Sequence, residues 1–179
     1  ASGEVMELIG STTLPPVLET DADEGAYGSN QQNLSASSSL VDQVIPAHSS
    51  NYTRGRSRSV NLAVIHTMQG SYNGCISWMK NPSSNVSSQY VVRSRDCHIT
   101  QMVSESDTAW HARSANSRSI GIEHEGYVSD AAWYTDAMYR RSAALVCGIT
   151  RRHNIPIDRQ HIMGHVEVPG NDHTDPGRH

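Results

Sequence analysis

The sequence lacks several features that define common classes of protein. It contains no phenylalanine, so Trp, Tyr, Val, Ile, Leu and Met must build the core. It has no apolar run near the roughly 20 residues that a membrane-spanning helix needs, so we expect no transmembrane segment. It has no long basic tract and a formal net charge of -4 at pH 7, which argues against nucleic acid as the partner. Its 179 residues suit one domain with its own core.

Cysteine is also scarce, whereas histidine is abundant. The three cysteines, Cys75, Cys97 and Cys147, form no CxxC pair, which argues against a thiolate zinc site. An odd number cannot pair completely; we favour a Cys75–Cys97 disulfide, with free thiols as the alternative. The ten histidines supply the commonest metal ligand and the usual proton carrier near neutral pH.

Residues 1–57 differ in composition from the rest of the chain. They are rich in Ser, Asn, Gly and acidic residues, and they include Pro15-Pro16 and the polar run from Ser29 to Ser39. Such a segment buries little apolar surface, so we expect an extended linker or wall-spanning spacer. A segment that docks on the domain is the alternative. The start, Ala1 to Glu4, shows no basic region before an apolar one, so no signal peptide is visible.

Residues 58–179 have the apolar patterns of a folded domain. Short β-branched runs predict strands, and a longer amphipathic run predicts a helix that Thr135 caps and that ends at about His153. Because strands outnumber helices, we predict an α/β or α+β fold, a single sheet with helices on its faces. The other predicted elements are strands at Val60–Ile65, Gln89–Arg93, His98–Val103, Ser119–Glu125 and His161–Gly164, and a short helix at Cys75–Lys80.

Three potential metal ligands follow predicted strand ends. His66 and His165 each come directly after a predicted strand, and Asp175 lies ten residues beyond His165. A sheet brings distant strand ends together, and two imidazoles with one carboxylate leave open the fourth position that a catalytic zinc requires. Spacing alone does not establish such a site, because most strand-end histidines are hydrogen-bonded surface residues and most aspartates before proline are turn residues.

Four short motifs in order resemble those of a known enzyme family. They are similar to the type-2 N-acetylmuramoyl-L-alanine amidases of bacteria and phages, which are relatives of the animal peptidoglycan recognition proteins. The resemblance covers about residues 58–177 and implies the fold of that family, a single central mixed sheet flanked by helices. Each motif is weak alone, but four in order are specific. They are Val64-Ile65-His66-Thr67, Ala109-Trp110-His111-Ala112, Ser119-Ile120-Gly121-Ile122-Glu123, and Gly164-His165 with His173-Thr174-Asp175-Pro176-Gly177.

The resemblance also implies roles for individual residues. His66, His165 and Asp175 match the family's three zinc ligands, which implies one Zn²⁺ per chain. Glu123 matches the glutamate that activates the attacking water, with a solvated strand carboxylate as the alternative. Strand alternation supports the match, since it turns Glu123 away from its apolar strand neighbours and toward a cleft. Glu125 shares that face and is the reserve candidate.

Three further residues receive roles from the same resemblance. His173 stands where many relatives have lysine, so a histidinium there would stabilise the developing oxyanion in a pH-dependent way; an ordinary loop histidine is the alternative. Trp110 and His111 match a segment that lines the substrate groove, with the indole against a sugar face and the imidazole hydrogen-bonded to substrate. Trp110 as a core residue is the alternative. Gln89 stands where relatives often have histidine, so we assign it no role.

The function that the resemblance implies is zinc-dependent hydrolysis of the amide bond between N-acetylmuramic acid and L-alanine in peptidoglycan. We expect a monomeric autolysin that is secreted and acts outside the cell or in the cell wall, which a Ser-rich tail and a disulfide would suit. Two alternatives stay open: a module that binds peptidoglycan without cutting it, and a zinc amidase for soluble anhydro-muropeptides. Relatives usually continue past the Asp175-Pro176-Gly177 turn with aromatic residues, whereas this sequence ends at His179.

Overall fold

The computed structural model describes residues 34–178, and within that range the chain forms eight strands and two α-helices. Most strands are short, and the two longest, at Leu62–Thr67 and Ser119–His124, have six residues each. The strands are β1 (Gln43–Val44), β2 (Tyr52–Thr53), β3 (Leu62–Thr67), β4 (Tyr90–Val92), β5 (Ile99–Gln101), β6 (Thr108–Ala109), β7 (Ser119–His124) and β8 (Ile162–Gly164). The helices are α1 (Tyr72–Lys80) and α2 (Asp136–His153). Short 3-10 helices lie at Ser49–Asn51, Arg113–Arg118, Ala131–Trp133 and His165–Glu167.

Six strands form one mixed sheet in the order β1-β5-β4-β7-β3-β8. Its centre is parallel, since β7 pairs in parallel with β3 and β4, and β8 pairs in parallel with β3. The strands predicted at Gln89–Arg93 and His98–Val103 correspond to β4 and β5, which pair antiparallel. Strands β2 and β6 form a separate antiparallel pair. This arrangement confirms the predicted fold, a central mixed sheet with helices.

The sheet packs on α2 with one face and on α1 with the other. Successive residues of a strand point to opposite faces, so Ile120 and Ile122 of β7 face α2, whereas Glu123 lies on the α1 side near Cys75. Each fully buried aliphatic side chain stabilises the fold by about 1.5–3 kcal/mol. The core on the α2 face includes Leu145, Val146 and Ile149, and the core on the α1 face includes Cys75, Met79 and Val91.

Both helices begin at side-chain caps. The Thr135 hydroxyl accepts a hydrogen bond from the Met138 N–H at 3.2 Å, which confirms the predicted start of α2. Helix α1 begins three residues earlier than predicted, because the Ser71 hydroxyl accepts from the Gly74 N–H at 3.1 Å and caps it. The sequence prediction started the helix at Cys75 and missed Ser71 as a cap.

Strand β3 starts and ends two residues later than predicted. Its last two residues, His66 and Thr67, pair in parallel with Glu123 and His124 of β7. Val60 is buried against the α2 core but precedes the strand. His66 is therefore held in the hydrogen-bonded ladder of the sheet rather than in the loop after it.

The favoured Cys75–Cys97 disulfide is wrong. All three cysteines lie within the described residues and all are free. Cys75 on α1 belongs to the core on the α1 face, whereas Cys97 belongs to the core on the α2 face. The sheet separates the two thiols, and two cysteines on opposite faces of a sheet cannot meet the geometry of a disulfide.

The described part of the N-terminal extension, residues 34–57, is docked on the domain rather than extended as a linker. Strand β1 adds an edge to the sheet by pairing in parallel with β5. The Asn51 side-chain amide donates to the carbonyls of Met79 and Asn81 at the end of α1, both at 2.8 Å. The predicted boundary at residues 57 and 58 stays a prediction, and residues 1–33 lie outside the described part.

Among residues 34–178, neither α1 nor α2 is both long and apolar enough to cross a membrane.

Candidate active site

Four predicted site residues meet at the carboxyl ends of the parallel strands. His66 in β3 and Glu123 in β7 are partners in the strand register, so they lie side by side on one face. His165 is the first residue after β8, the neighbour of β3 on its other side. The loop beyond it returns Asp175, whose carbonyl accepts from the Val166 N–H at 2.8 Å. Parallel strands thus gather residues that lie far apart in sequence.

His66, His165 and Asp175 form a compact buried group. Each offers one ligand atom, and these atoms all lie within 4.8 Å of one another. The His66 Nδ1 is 3.3 Å from Asp175 Oδ2, and the His165 Nδ1 is 3.0 Å from Asp175 Oδ1. Asp175 Oδ2 also accepts from the Thr67 N–H at 3.3 Å, which fixes the carboxylate between the two rings.

Several polar atoms of this group have no hydrogen-bond partner among residues 34–178. They are the His66 Nδ1, the His165 Nε2 and both carboxylate oxygens of Glu123. Buried polar atoms are nearly always paired, so an unpaired cluster requires an explanation. Two imidazole nitrogens and a carboxylate oxygen are a donor set that suits a divalent metal such as zinc. The residues therefore fit a metal ion at this point.

The electrostatics of the group agree with metal binding. Burial, together with the neighbouring His165, lowers the pKa of His66 to about 4. Burial opposes ionisation of Asp175, but the interactions with His165 and His66 outweigh it and hold the pKa of that carboxyl below its usual range. A neutral imidazole and an ionised carboxylate are the forms that bind a metal.

Glu123 and the reserve candidate Glu125 differ in their surroundings. Glu123 is fully buried, its Oε1 is 3.8 Å from the His66 Nδ1, and burial, with the nearby Asp175 charge, raises its pKa well above the usual range. Glu125 instead accepts from the Tyr72 N–H with Oε1 and from the Ser94 N–H with Oε2, both at 2.9 Å. Glu125 is thus a structural residue, and Glu123 is the carboxylate beside the group.

His173 also reaches the site. Its ring stacks on the His165 ring, with centroids 4.3 Å apart and an interplanar angle of 18°, and its Nδ1 is 3.8 Å from Asp175 Oδ1. Burial, reinforced by His165, lowers the pKa of His173. A lowered pKa favours the uncharged ring, which still offers an N–H donor, and the role of His173 stays a prediction.

The two candidate groove residues, Trp110 and His111, occupy different positions. Trp110 is half-buried, and its indole N–H donates to the Thr53 hydroxyl at 3.0 Å. His111 is only 1% exposed, and its Nδ1 lies 2.9 Å from the His66 Nε2. His111 is therefore almost closed to solvent and lies beside the His66 ring, and its predicted contact with substrate stays a prediction.

Sequence reasoning missed two residues that support the site. His124 is buried next to Glu123 in sequence; its Nδ1 donates to the His66 carbonyl at 2.9 Å, and its Nε2 lies 2.7 Å from the Ser142 hydroxyl. The Tyr134 hydroxyl is 2.8 Å from the Thr67 hydroxyl. The position of His124 could have been predicted from the alternation of side chains along β7. That alternation places His124 on the face opposite Glu123.

Comparison with known proteins adds an independent line of information. Residues 56–178 match the family model described as N-acetylmuramoyl-L-alanine amidase. N-acetylmuramoyl-L-alanine amidase A from Achromobacter lyticus is 40% identical over an aligned length of 152 residues, and the alignment covers 75% of this chain and 85% of that protein. A selenomethionine derivative of AmpD superimposes with a TM-score of 0.61 at 27% identity, over 76% of this chain and 87% of AmpD. A mutant endolysin from Bacillus subtilis shares the fold, with a TM-score of 0.58 at 21% identity over 73% and 88% of the two chains.

Proposed function

The chain belongs to the N-acetylmuramoyl-L-alanine amidase family, and on that premise we propose that it is a zinc-dependent enzyme with its metal centre at His66, His165 and Asp175. Its reaction is hydrolysis of the amide bond between N-acetylmuramic acid and L-alanine in peptidoglycan. One observation carries the metal centre: two imidazoles and a carboxylate lie buried together, with ring nitrogens that no residue between 34 and 178 satisfies.

The three ligands leave room for the chemistry of an open zinc site. One ring nitrogen from each histidine and one Asp175 oxygen would hold the ion and leave a fourth position for water or substrate. When bound, zinc polarises the carbonyl oxygen of the substrate and promotes ionisation of the attacking water. Burial of the whole group keeps competing water away and strengthens these electrostatic effects.

Glu123 is the proposed general base. Its carboxylate oxygens form no hydrogen bond within residues 34–178 and its pKa is raised, which suits a group that accepts a proton in the reaction. It takes the proton of the attacking water while the water oxygen bonds to the carbonyl carbon. It then delivers that proton to the amide nitrogen, and the C–N bond breaks. The products are the lactyl carboxylate of the sugar and the free amine of L-alanine.

His173 and Trp110 are proposed to act on the substrate. The neutral His173 ring, stacked on His165, can donate an N–H hydrogen bond to the developing oxyanion. The half-buried Trp110 indole suits the apolar face of a sugar ring. Water attacks the carbonyl carbon directly in the proposed reaction, so no covalent enzyme intermediate forms. The buried Cys75 and Cys97 therefore take no part in it.

The setting of the reaction is also a proposal. Because peptidoglycan is the substrate, we infer that the enzyme acts as a monomer outside the cell or in the cell wall, as an autolysin. All three cysteines are free, so no disulfide supports export, and the proposed location depends on the substrate and on the Ser-rich N-terminal extension. A module that binds without cutting is disfavoured, because the ligand set and Glu123 are both present.

A cleavage assay tests the proposal. Purified peptidoglycan is incubated with the enzyme as prepared, after removal of metal with a chelator, and after zinc is restored, and new L-alanine amino termini are counted. We expect activity, loss of activity, and recovery. Asp175→Ala should neither bind zinc nor recover. Activity that survives complete metal removal would contradict zinc dependence, and recovery in Asp175→Ala would contradict the ligand set.

A further inference from the structure

A chain of buried hydrogen bonds runs from His66 away from the metal site. The His66 Nε2 is 2.9 Å from the His111 Nδ1, and the His111 Nε2 is 3.1 Å from the Ser119 hydroxyl. The Ser119 hydroxyl donates to the Ala115 carbonyl at 2.8 Å. Ser119 is fully buried and His111 nearly so. The chain therefore ends at a carbonyl oxygen, which can only accept.

That carbonyl fixes the direction of every proton in the chain. The Ser119 hydroxyl has one proton and gives it to Ala115, so it must accept from the His111 Nε2–H. A neutral His111 then has a bare Nδ1, which accepts from the His66 Nε2–H. His66 in turn keeps a lone pair on Nδ1, the atom that lies nearest to Asp175 and that forms no hydrogen bond within residues 34–178.

The surrounding structure is shaped to hold His111 in this place. A Cβ at Gly121 would lie 2.6 Å from two atoms of the His111 ring, so only glycine in the middle of β7 leaves room for it. The Gly121 N–H donates to the Gln89 side-chain oxygen at 2.8 Å, and the Gln89 amide donates to the Asp107 carbonyl at 3.2 Å. Gln89, to which the sequence assigned no role, thus provides the hydrogen-bond acceptor for the strand N–H group beside the ring.

We infer that His111 and Ser119 are positioning residues that lock His66 into the tautomer whose Nδ1 is free to bind zinc. Neutral imidazole has two tautomers, and a partner on one nitrogen selects which nitrogen is free to bind a metal. The inference rests on the proposed function for the identity of the metal. The tautomer itself is a property of the metal-free protein.

A second buried histidine provides a matched control. His124 also touches His66 and also has a serine hydroxyl at its Nε2, at 2.7 Å from Ser142. It contacts the His66 carbonyl, however, and not the ring. Ser119→Ala and Ser142→Ala remove the same group from equivalent positions, but only Ser119→Ala touches the chain that sets the ring tautomer.

The direct test is nitrogen NMR of the histidine rings in metal-free protein, with His66 assigned by comparison with a His66→Ala variant. We expect the His66 proton on Nε2 in the wild type and in Ser142→Ala, and a mixture of tautomers in Ser119→Ala. A His66 proton on Nδ1 in the wild type would overturn the inference. This result stands whether or not the protein binds zinc, so it is separable from failure of the proposed function.

Zinc affinity, measured by competition with a chelator, is the second readout. Loss of such an outer hydrogen bond typically weakens metal binding by roughly 10–100-fold, so we expect about tenfold in Ser119→Ala and up to about 100-fold in His111→Leu. His111→Asn, which can present an amide oxygen near the Nδ1 position, should recover part of the loss. Equal weakening in Ser119→Ala and Ser142→Ala, or none in Ser119→Ala, would overturn the inference.

Discussion

Two buried glutamates have opposite surroundings in this molecule. Glu105 accepts from the Tyr90 hydroxyl at 2.5 Å and pairs with Arg152 and His153, both at 2.7 Å. Burial would raise the pKa of Glu105, but these three partners outweigh it and lower the pKa to about 2. Glu123 has no hydrogen-bond partner in the described part of the chain, and burial raises its pKa well above the usual range.

Both carboxylates are buried, so the opposite directions of their pKa shifts come mainly from their hydrogen-bond partners. Glu105 is ionised and satisfied, and it ties β4 to the end of α2. Glu123 is more deeply buried, and no residue between 34 and 178 satisfies its oxygens, which a fold tolerates only where a further group completes the site. If this account is right, equivalent substitutions at the two positions should have opposite consequences.

The largest effect is expected for Glu123→Gln. The amide keeps the size of the side chain but cannot take the proton, so we expect a loss of turnover of about 10²–10⁴-fold with zinc content unchanged. Release of L-alanine amino termini and elemental analysis measure the two quantities. Turnover within tenfold of the wild type would remove Glu123 as the base.

The reverse pattern is expected for Glu105→Gln. Loss of the charge leaves Arg152 and His153 with a weaker partner, so we expect the free energy of unfolding to fall by about 2–3 kcal/mol. Activity per folded molecule should stay near that of the wild type. Denaturant unfolding gives the first quantity. As a control, Asp96→Asn in the exposed pair with Arg93 should cost about 1 kcal/mol or less. A Glu105→Gln variant that is as stable as the wild type but inactive would contradict the structural role of Glu105.

The pH dependence of stability sharpens the same contrast. The pKa of Glu105 is about 2 in the folded protein and near 4.5 for an ordinary glutamate. A lowered folded-state pKa gives stability that is present above about pH 4.5 and is lost as the pH falls toward 2. The free energy of unfolding should therefore fall over this window by at most about 3 kcal/mol on account of Glu105. In Glu105→Gln this pH-dependent part of the free energy of unfolding should vanish. A pH profile equal to that of the wild type would contradict the stabilising role of the Glu105 interactions.

The smallest effect is expected for Glu125→Gln. Glu125 spans two backbone N–H groups, those of Tyr72 and Ser94, and the amide has only one acceptor oxygen. We expect a loss of about 1 kcal/mol in the free energy of unfolding and little change in turnover. A large loss of turnover without loss of stability would return Glu125 to consideration as the base.

The convergence of the site residues could be predicted from the sequence. The motifs around His66, Glu123, His165 and Asp175 lie at strand ends, and parallel strands bring such ends together. Thr135 was likewise recognisable as a helix cap. These features depend on local patterns and on few distant contacts, although the roles of the residues stay proposals.

Features that depend on distant packing could not be predicted. The position of His111 beside His66 requires the space that Gly121 leaves. That space is visible only once β7 is packed against the segment that holds His111. The separation of Cys75 from Cys97 requires knowledge of which face each one joins. The docking of residues 34–57 depends on hydrogen bonds such as those of Asn51, which polar composition does not reveal.

Anomalous X-ray scattering at the zinc absorption edge tests directly whether His66, His165 and Asp175 hold a zinc ion. We expect zinc-loaded crystals to show one peak per chain, about 2.0–2.2 Å from the His66 Nδ1, a ring nitrogen of His165 and an oxygen of Asp175. The absence of a peak there, or a peak held by other residues, would contradict the account.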